Sequence, residues 1–253
     1  MARLTGVLKF RGSIGDITAC KYKHRKELVI RKKKEKMSKD YYKKSPTMAP
    51  VRRNNSEFST ARNVAILINN AFKMLFRDFD RGYLYQRMAG IFKVIMSKDL
   101  MNEHGKRTIQ NGLLHPEGKD LLENFRFTPD SKPSDFYRAS IAFDHDKSVV
   151  DLKEIMSVGS GIKNATHIEF RALFLGLNLE EMKFRTSLSA PINLSKQEGE
   201  AEAIQLNCSS IKEPVHLTFV FLCCSALKEE ANVLYKLNGE KNFALQLLAH
   251  RVV

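Results

Sequence analysis

The residues able to do chemistry are scattered rather than grouped. Seven histidines (His24, His104, His115, His145, His167, His216 and His250) are spread along 253 residues, and none stands with a cysteine at the spacing of a zinc site. The tightest group is Asp144-His145-Asp146. Two carboxylates and an imidazole in one loop offer ligands to a cation, but a metal site needs several convergent donors, and short Asp/His turns are commonly just solvated. His167 and His216 fall in strand-like segments, where a hydrogen-bonded structural histidine is the simpler expectation. Cys223-Cys224 lies in an apolar run and reads as core rather than as a nucleophile. Gly12-x-x-Gly15 is too short for a dinucleotide fingerprint. The chain has no Gly-x-Ser-x-Gly elbow and no glycine-rich phosphate loop ending in Lys-Ser/Thr. The expectation is therefore no catalytic constellation, no metal and no cofactor.

Charge is more informative. The chain carries 42 Lys/Arg against 28 Asp/Glu, a net +14. Residues 1–63 hold 18 basic and 5 acidic side chains, residues 64–107 hold 8 and 4, and residues 108–253 hold 16 and 19. The positive charge is thus segregated at the N-terminal end, which is expected to seek phosphates, an acidic protein surface or anionic lipid. Cys20, Cys208, Cys223 and Cys224 show no disulfide-like spacing, which fits a reducing compartment. No signal-like apolar run opens the chain, and no stretch of about 18 apolar residues would span a bilayer. The expected setting is the cytoplasm, with the chain free or part of a particle or filament, and with no membrane span.

The elements that must position these residues follow from periodicity. Gly12, Gly15 and Asp16 are turn residues, and residues 14–22 and 28–32 are rich in strand-favouring types, with a turn near His24-Arg25-Lys26. A two-stranded hairpin is barely stable alone, so something must cover its apolar side: the body of the same chain, a neighbouring copy or nucleic acid. Residues 33–55, rich in Lys, Ser and Pro, read as a linker. A helix is expected from Asn55-Ser56, with Phe58, Ala61, Ala65, Ile68, Phe72, Leu75 and Phe79 on one face. It ends at Asp80-Arg81-Gly82, and a second helix carries Leu84, Met88, Ile91, Phe92 and Ile95. Together they make an antiparallel helical hairpin. Residues 97–124 read as a connector with a brief helix at 118–123. Segments 138–143, 148–152, 166–173, 183–188, 201–207, 215–222, 233–237 and 243–252 read as strands of an antiparallel sandwich or barrel. The fold class is α+β: a basic β-hairpin arm with its linker (1–54), a helical hairpin with its connector (55–124) and a C-terminal antiparallel β-sandwich (125–253).

Several segments resemble a family of uncharacterised Bacteroidota proteins. Gly12-Ser13-Ile14-Gly15-Asp16-Ile17-Thr18 followed by Lys21-Tyr22-Lys23 is similar to that family's opening Gly-x-Ile-Gly-Asp-Ile-Thr-x-Tyr-Lys hairpin. The likeness continues at Arg52-Arg53-Asn54-Asn55-Ser56-Glu57-Phe58, at Gly105-Lys106-Arg107-Thr108, at Glu123-Asn124-Phe125-Arg126-Phe127 and at Ala165-Thr166-His167-Ile168-Glu169-Phe170. It implies a shared order of hairpin, helices and β-domain, and supplies no activity. Residues 31–44 are more basic here than the family pattern.

Two functions of different class follow. The first is a non-enzymatic structural protein whose arm contacts other copies of itself or a larger assembly through Ile14, Ile17, Tyr22, Leu28 and Val29, by adding a strand to a neighbouring sheet edge. The second is sequence-tolerant nucleic-acid binding. Lys32, Lys33, Lys34, Lys36, Lys39, Lys43, Lys44, Arg52 and Arg53 would neutralise phosphates, and Tyr41 and Tyr42 would stack on bases. The simplest alternative for that tract is a solvated run of charge.

Overall fold

The computed structural model describes residues 2–4, 12–22, 27–33, 38–75, 83–144, 147–157, 162, 164–196, 200–211 and 214–253. It mixes helices with antiparallel sheets. Two compact units, residues 1–52 and 53–253, are set apart by their internal packing.

The first unit holds four short strands, β1 (Ala2–Leu4), β2 (Gly12–Ile14), β3 (Ile17–Lys21) and β4 (Leu28–Lys32), in the order β1-β4-β3-β2. β2 and β3 meet at the two-residue turn Gly15-Asp16, where Gly15 takes φ +55°. A glycine in the first central position is what a type II′ hairpin turn requires. The hairpin strands expected at 14–22 and 28–32 are present, while His24-Arg25-Lys26 lies outside the described residues.

The linker expected at 33–55 is helical where it is described. α1 (Lys39–Lys44) is capped by Ser38, whose Oγ accepts the Tyr41 N–H at 3.1 Å. A 3-10 turn at Pro46–Met48 leads into α2 (Ala49–Leu75), six residues before the expected start. Pro46 and Pro50 favour this course, because a proline in a first turn removes no hydrogen bond and its φ already suits a helix.

In the second unit, α3 (Leu84–Met96) packs against α4 (Ile109–Leu114) and α5 (Pro116–Glu123). The expected connector is thus more helical than its turn-rich sequence indicated. Two glycines account for the close fit. A Cβ on Gly112 would overlap the Ile95 carbonyl, and one on Gly118 would overlap the Gly112 carbonyl. Asp80-Arg81-Gly82 and Phe79 lie outside the described residues.

Nine strands follow: β5 (Tyr137–Asp144), β6 (Val149–Ser157), β7 (His167–Asn178), β8 (Lys183–Leu188), β9 (Ile192–Ser195), β10 (Glu200–Asn207), β11 (Leu217–Glu230), β12 (Val233–Lys236) and β13 (Phe243–Val252). All eight expected segments are strands, and β9 is an addition. β10, β6 and β5 form one antiparallel sheet. In the other, β7 and β11 lie side by side at the centre, β8 and β9 share the far side of β7, and β12 and β13 pair with β11. β7 and β11 run longer than expected because both of their faces are covered, so no polar alternation interrupts them.

Register divides the central strands cleanly. Leu173, Leu175 and Leu177 pair with Phe221, Phe219 and Leu217, and these six share one core with Ile68, Phe72, Phe92 and Ile95 of α2 and α3. Phe170, Ala172 and Phe174 pair with Cys224, Leu222 and Val220 and share a second core with Val150, Leu152 and Leu206 of the three-stranded sheet. A bulge in β13 keeps the pattern. Leu248 is extra between the pairs Phe221–Leu247 and Val220–Ala249, which sends Leu247 to the first core and Ala249 to the second. No helix among the described residues is long and apolar enough to cross a membrane.

Candidate functional site

The five residues expected to mediate assembly do not form one patch. Ile14 and Ile17 flank the hairpin turn, and the register puts them on the same face as Ala19, Leu28 and Ile30. Ile14 is 63% exposed. Val29 pairs with Cys20 on the other face and is buried. Tyr22 follows the end of β3 and is exposed. The exposed apolar pair beside the turn is therefore Ile14 and Ile17, while the half-buried Leu28 lies on the inner strand β4, opposite Lys21 at the other end of β3. The residues flanking a two-residue turn exchange their backbone hydrogen bonds, so Ser13, next along β2, presents its N–H and C=O to the open side. Among the described residues, no strand pairs with that side.

The basic residues separate by role. Lys32 and Lys33 are exposed at the end of β4. Lys39 opens α1, while Lys43 and Lys44 stand exposed in its last turn, where cations suit the helix dipole. Lys34 and Lys36 lie outside the described residues. Arg52 is already engaged, since its Nη1 donates to the carbonyls of Tyr42 at 2.7 Å and Ser45 at 3.0 Å and so satisfies carbonyls at the end of α1. Arg53 is exposed, and its Cβ and Cγ leave no room for a side chain at Gly105. Tyr41 is exposed, and its hydroxyl hydrogen-bonds Thr47 Oγ1 at 3.2 Å. The Thr47 and Ser45 hydroxyls pull its phenol below the ordinary value. Tyr42 is half-buried.

The groups considered for chemistry are held structurally. Asp144 makes a turn with Lys147, accepting its N–H at 3.1 Å, while His145 and Asp146 lie outside the described residues. His216 Nδ1 accepts the Leu179 N–H at 3.1 Å, and His167 Nδ1 sits 3.0 Å from Thr166 Oγ1. Cys223 and Cys224 are buried in opposite cores, and desolvation pushes both thiols well above the ordinary range. Burial pushes Cys208 up to about 11. No group of three metal-ligating side chains occurs among the described residues.

Sequence reasoning missed the buried carboxylates among the described residues, Glu57, Asp99 and Glu169, the last paired with Arg171 and Lys236. Glu57, not Phe58, continues the inward face of α2, and Phe58 is 49% exposed. Glu57 pairs with Lys93 of α3 and accepts the Gly105 N–H at 2.7 Å; His104 Nε2 is 3.9 Å away and bonds Asn54 Oδ1 at 3.1 Å. Burial raises the Glu57 carboxyl, but Lys93, the Gly105 N–H and the charge of His104 outweigh it and hold it below its ordinary value. Asp99, 1% exposed, accepts the N–H groups of Met101 (2.9 Å), Asn102 (3.1 Å) and Thr108 (2.8 Å) and the Asn102 side-chain amide at 2.8 Å. Burial again raises it, and those four donors bring it below the ordinary value. The signal for Glu57 was its place four residues before Ala61 on the apolar stripe. Asp99 carried no signal, because its partners are assembled by the loop itself.

An open groove of about 620 Å³ runs between α3 and α5, with Ile91, Val94, Leu121 and Phe125 in its apolar lining and Arg87, Arg126, Lys98, Glu117 and Asp120 also lining it. Arg87 lies over the Phe125 ring at 5.4 Å, and its Nη1 and Nη2 donate to the carbonyls of Arg126 and Phe127 at 2.7 and 3.0 Å.

No protein-family model, no curated protein and no solved structure matches this chain.

Proposed function

We propose that the chain is a non-enzymatic structural protein that assembles with further copies of itself, or into a larger complex, through its N-terminal sheet. The observation that carries this reading is the open side of β2, where Ser13 faces outward beside the exposed Ile14 and Ile17. Unpaired edges of this kind recruit strands. The two facing sheets of the second unit, read as an antiparallel sandwich, form the body that the arm serves. Four free thiols suit a reducing compartment such as the cytoplasm.

The test is light scattering on the full chain against Ser13→Pro, which removes the outward N–H while leaving the pairing between β2 and β3 in place. Ser13→Pro and Ile14→Lys are expected to lower the assembled mass. A wild-type mass equal to one chain at every concentration would sink self-assembly and leave only the larger complex.

A second reading, sequence-tolerant nucleic-acid binding, is favoured by Lys32, Lys33, Lys43 and Lys44. All four are exposed, and among the described residues no carboxylate pairs with them. Lys43→Ala/Lys44→Ala should weaken binding of a labelled oligonucleotide and flatten its salt dependence. No binding at low salt removes this alternative.

A further inference from the structure

At one end of the second core, a cavity of about 550 Å³ lies among the turn before β6, the segment between β10 and β11, and the first residues of β11. Register puts Phe174, Gly176, Thr218 and Arg251 on one face of the central sheet, the face that carries the second core. Ile211 and Val215 close over that face. A Cβ on Gly176 would stand 2.7 Å from Val215 Cγ1 and 3.4 Å from the Ile211 side chain, so the missing side chain is what lets both lie against the strand. Phe174, Ile211, Pro214 and Val215 give the cavity apolar walls. This volume, with apolar walls and a few polar groups, is the usual form of a small-molecule site.

The polar groups narrow the ligand. Ser148 lines the cavity and is 4% exposed, yet its hydroxyl has no hydrogen-bond partner among the described residues. A side chain this buried ordinarily has one. The oxygen is not sealed in protein, so it opens to the cavity. Its place is fixed from behind, because the Cys208 N–H donates to the Ser148 carbonyl at 2.9 Å and ties the turn to the end of β10. Arg251 is the charged side chain among the lining residues, and it is exposed and already engaged. A charged ligand would therefore find no free counter-ion among them, while an uncharged one finds apolar walls and one hydroxyl able to donate or accept.

We infer that this cavity binds a small, uncharged, mainly apolar molecule whose hydrogen-bonding group meets the Ser148 hydroxyl. The site lies wholly within residues 53–253 and does not depend on assembly through the N-terminal sheet.

The probe is N-phenyl-1-naphthylamine, an uncharged aromatic amine that carries an N–H and brightens in apolar surroundings. Titrated into the full chain, its fluorescence should rise and saturate. Ser148→Ala should weaken binding about tenfold, the loss of one buried hydrogen bond. Thr218→Phe puts a ring into the cavity and should abolish binding, with an unchanged circular dichroism spectrum. Ser148→Ala removes a single oxygen, so it tests the inference even if Thr218→Phe does not fold. No saturable binding to the wild-type chain overturns the inference. So does an affinity unchanged by Ser148→Ala, which would place the probe elsewhere, for example in the groove between α3 and α5.

Discussion

Residues 1–52 and residues 53–253 reach order by different means. In the first unit Ala19 and Val29 are the buried apolar side chains among the described residues, and they lie on opposite faces of the small sheet. Its remaining order comes from backbone pairing, from the Ser38 cap and from Arg52 closing α1. The second unit holds two apolar clusters on the two faces of β7 and β11, with Phe72, Phe127 and Phe221 meeting edge to face at 5.0–6.1 Å. Stability therefore concentrates in the second unit, while most of the net charge sits in the first, together with a short strand edge at β2 beside the exposed Ile14 and Ile17. A region with few buried contacts is where local opening is cheapest, and such a region is suited to exchange partners.

The sharpest break of this comparison is Phe72→Ala, expected to cost about 3–5 kcal/mol from the ring removed and the cavity left, read as a fall in the urea midpoint. Asp99→Ala should cost about 3 kcal/mol by stranding the donors it satisfies. The pH profile sharpens this. Asp99 and Glu57 are held below their ordinary values of 3.8 and 4.5, so their contribution is complete above those values and is lost as pH falls through the lower folded values. The urea midpoint should thus hold down to about pH 5 and drop below it, and Asp99→Asn should flatten that drop. Gly118→Ala should cost about 2 kcal/mol, because the new methyl meets backbone rather than a movable side chain. Val29→Ala should cost about 1.5 kcal/mol, seen by hydrogen exchange as faster amides in β3 and β4 with β7 and β11 unchanged. If β7 and β11 loosen equally, the contrast between the units is wrong. Smallest is Ala231→Gly, which should stabilise by about 1 kcal/mol. Ala231 and Asn232 both take positive φ (50° and 61°) in the turn between β11 and β12, a conformation that costs an alanine but not a glycine.

Much of this was legible along the chain. The inward stripes of α2 and α3 came from three- and four-residue spacing, and the strands from turn residues around β-branched runs. The errors have physical causes. Prolines at 46 and 50 looked like linker residues because the same ring that breaks a helix interior also starts one. The stripe puts Phe58 inside and says nothing of Glu57, because it predicts a face and not which polar residue will find a partner there; Lys93 and Gly105 settle it. By residue type Arg52 is a phosphate-seeking cation, but in the fold the carbonyls of Tyr42 and Ser45 occupy it. The assembly residues were chosen by type, and strand parity divided Val29 from Ile14 and Ile17.

The amino-acid order alone determined where charge gathers, where the strands and the two long helices run, and that β7 and β11 carry apolar side chains on both faces, since these depend on neighbours within a few residues. Only the tertiary structure decided that Gly112 and Gly118 are close-approach points, that Asp99 organises the loop carrying the exposed Leu100 and Met101, and that Glu57 is buried against Lys93 and Gly105. Each of those depends on groups brought together by packing, and the free energy of such a meeting is a property of the folded arrangement, not of local spacing.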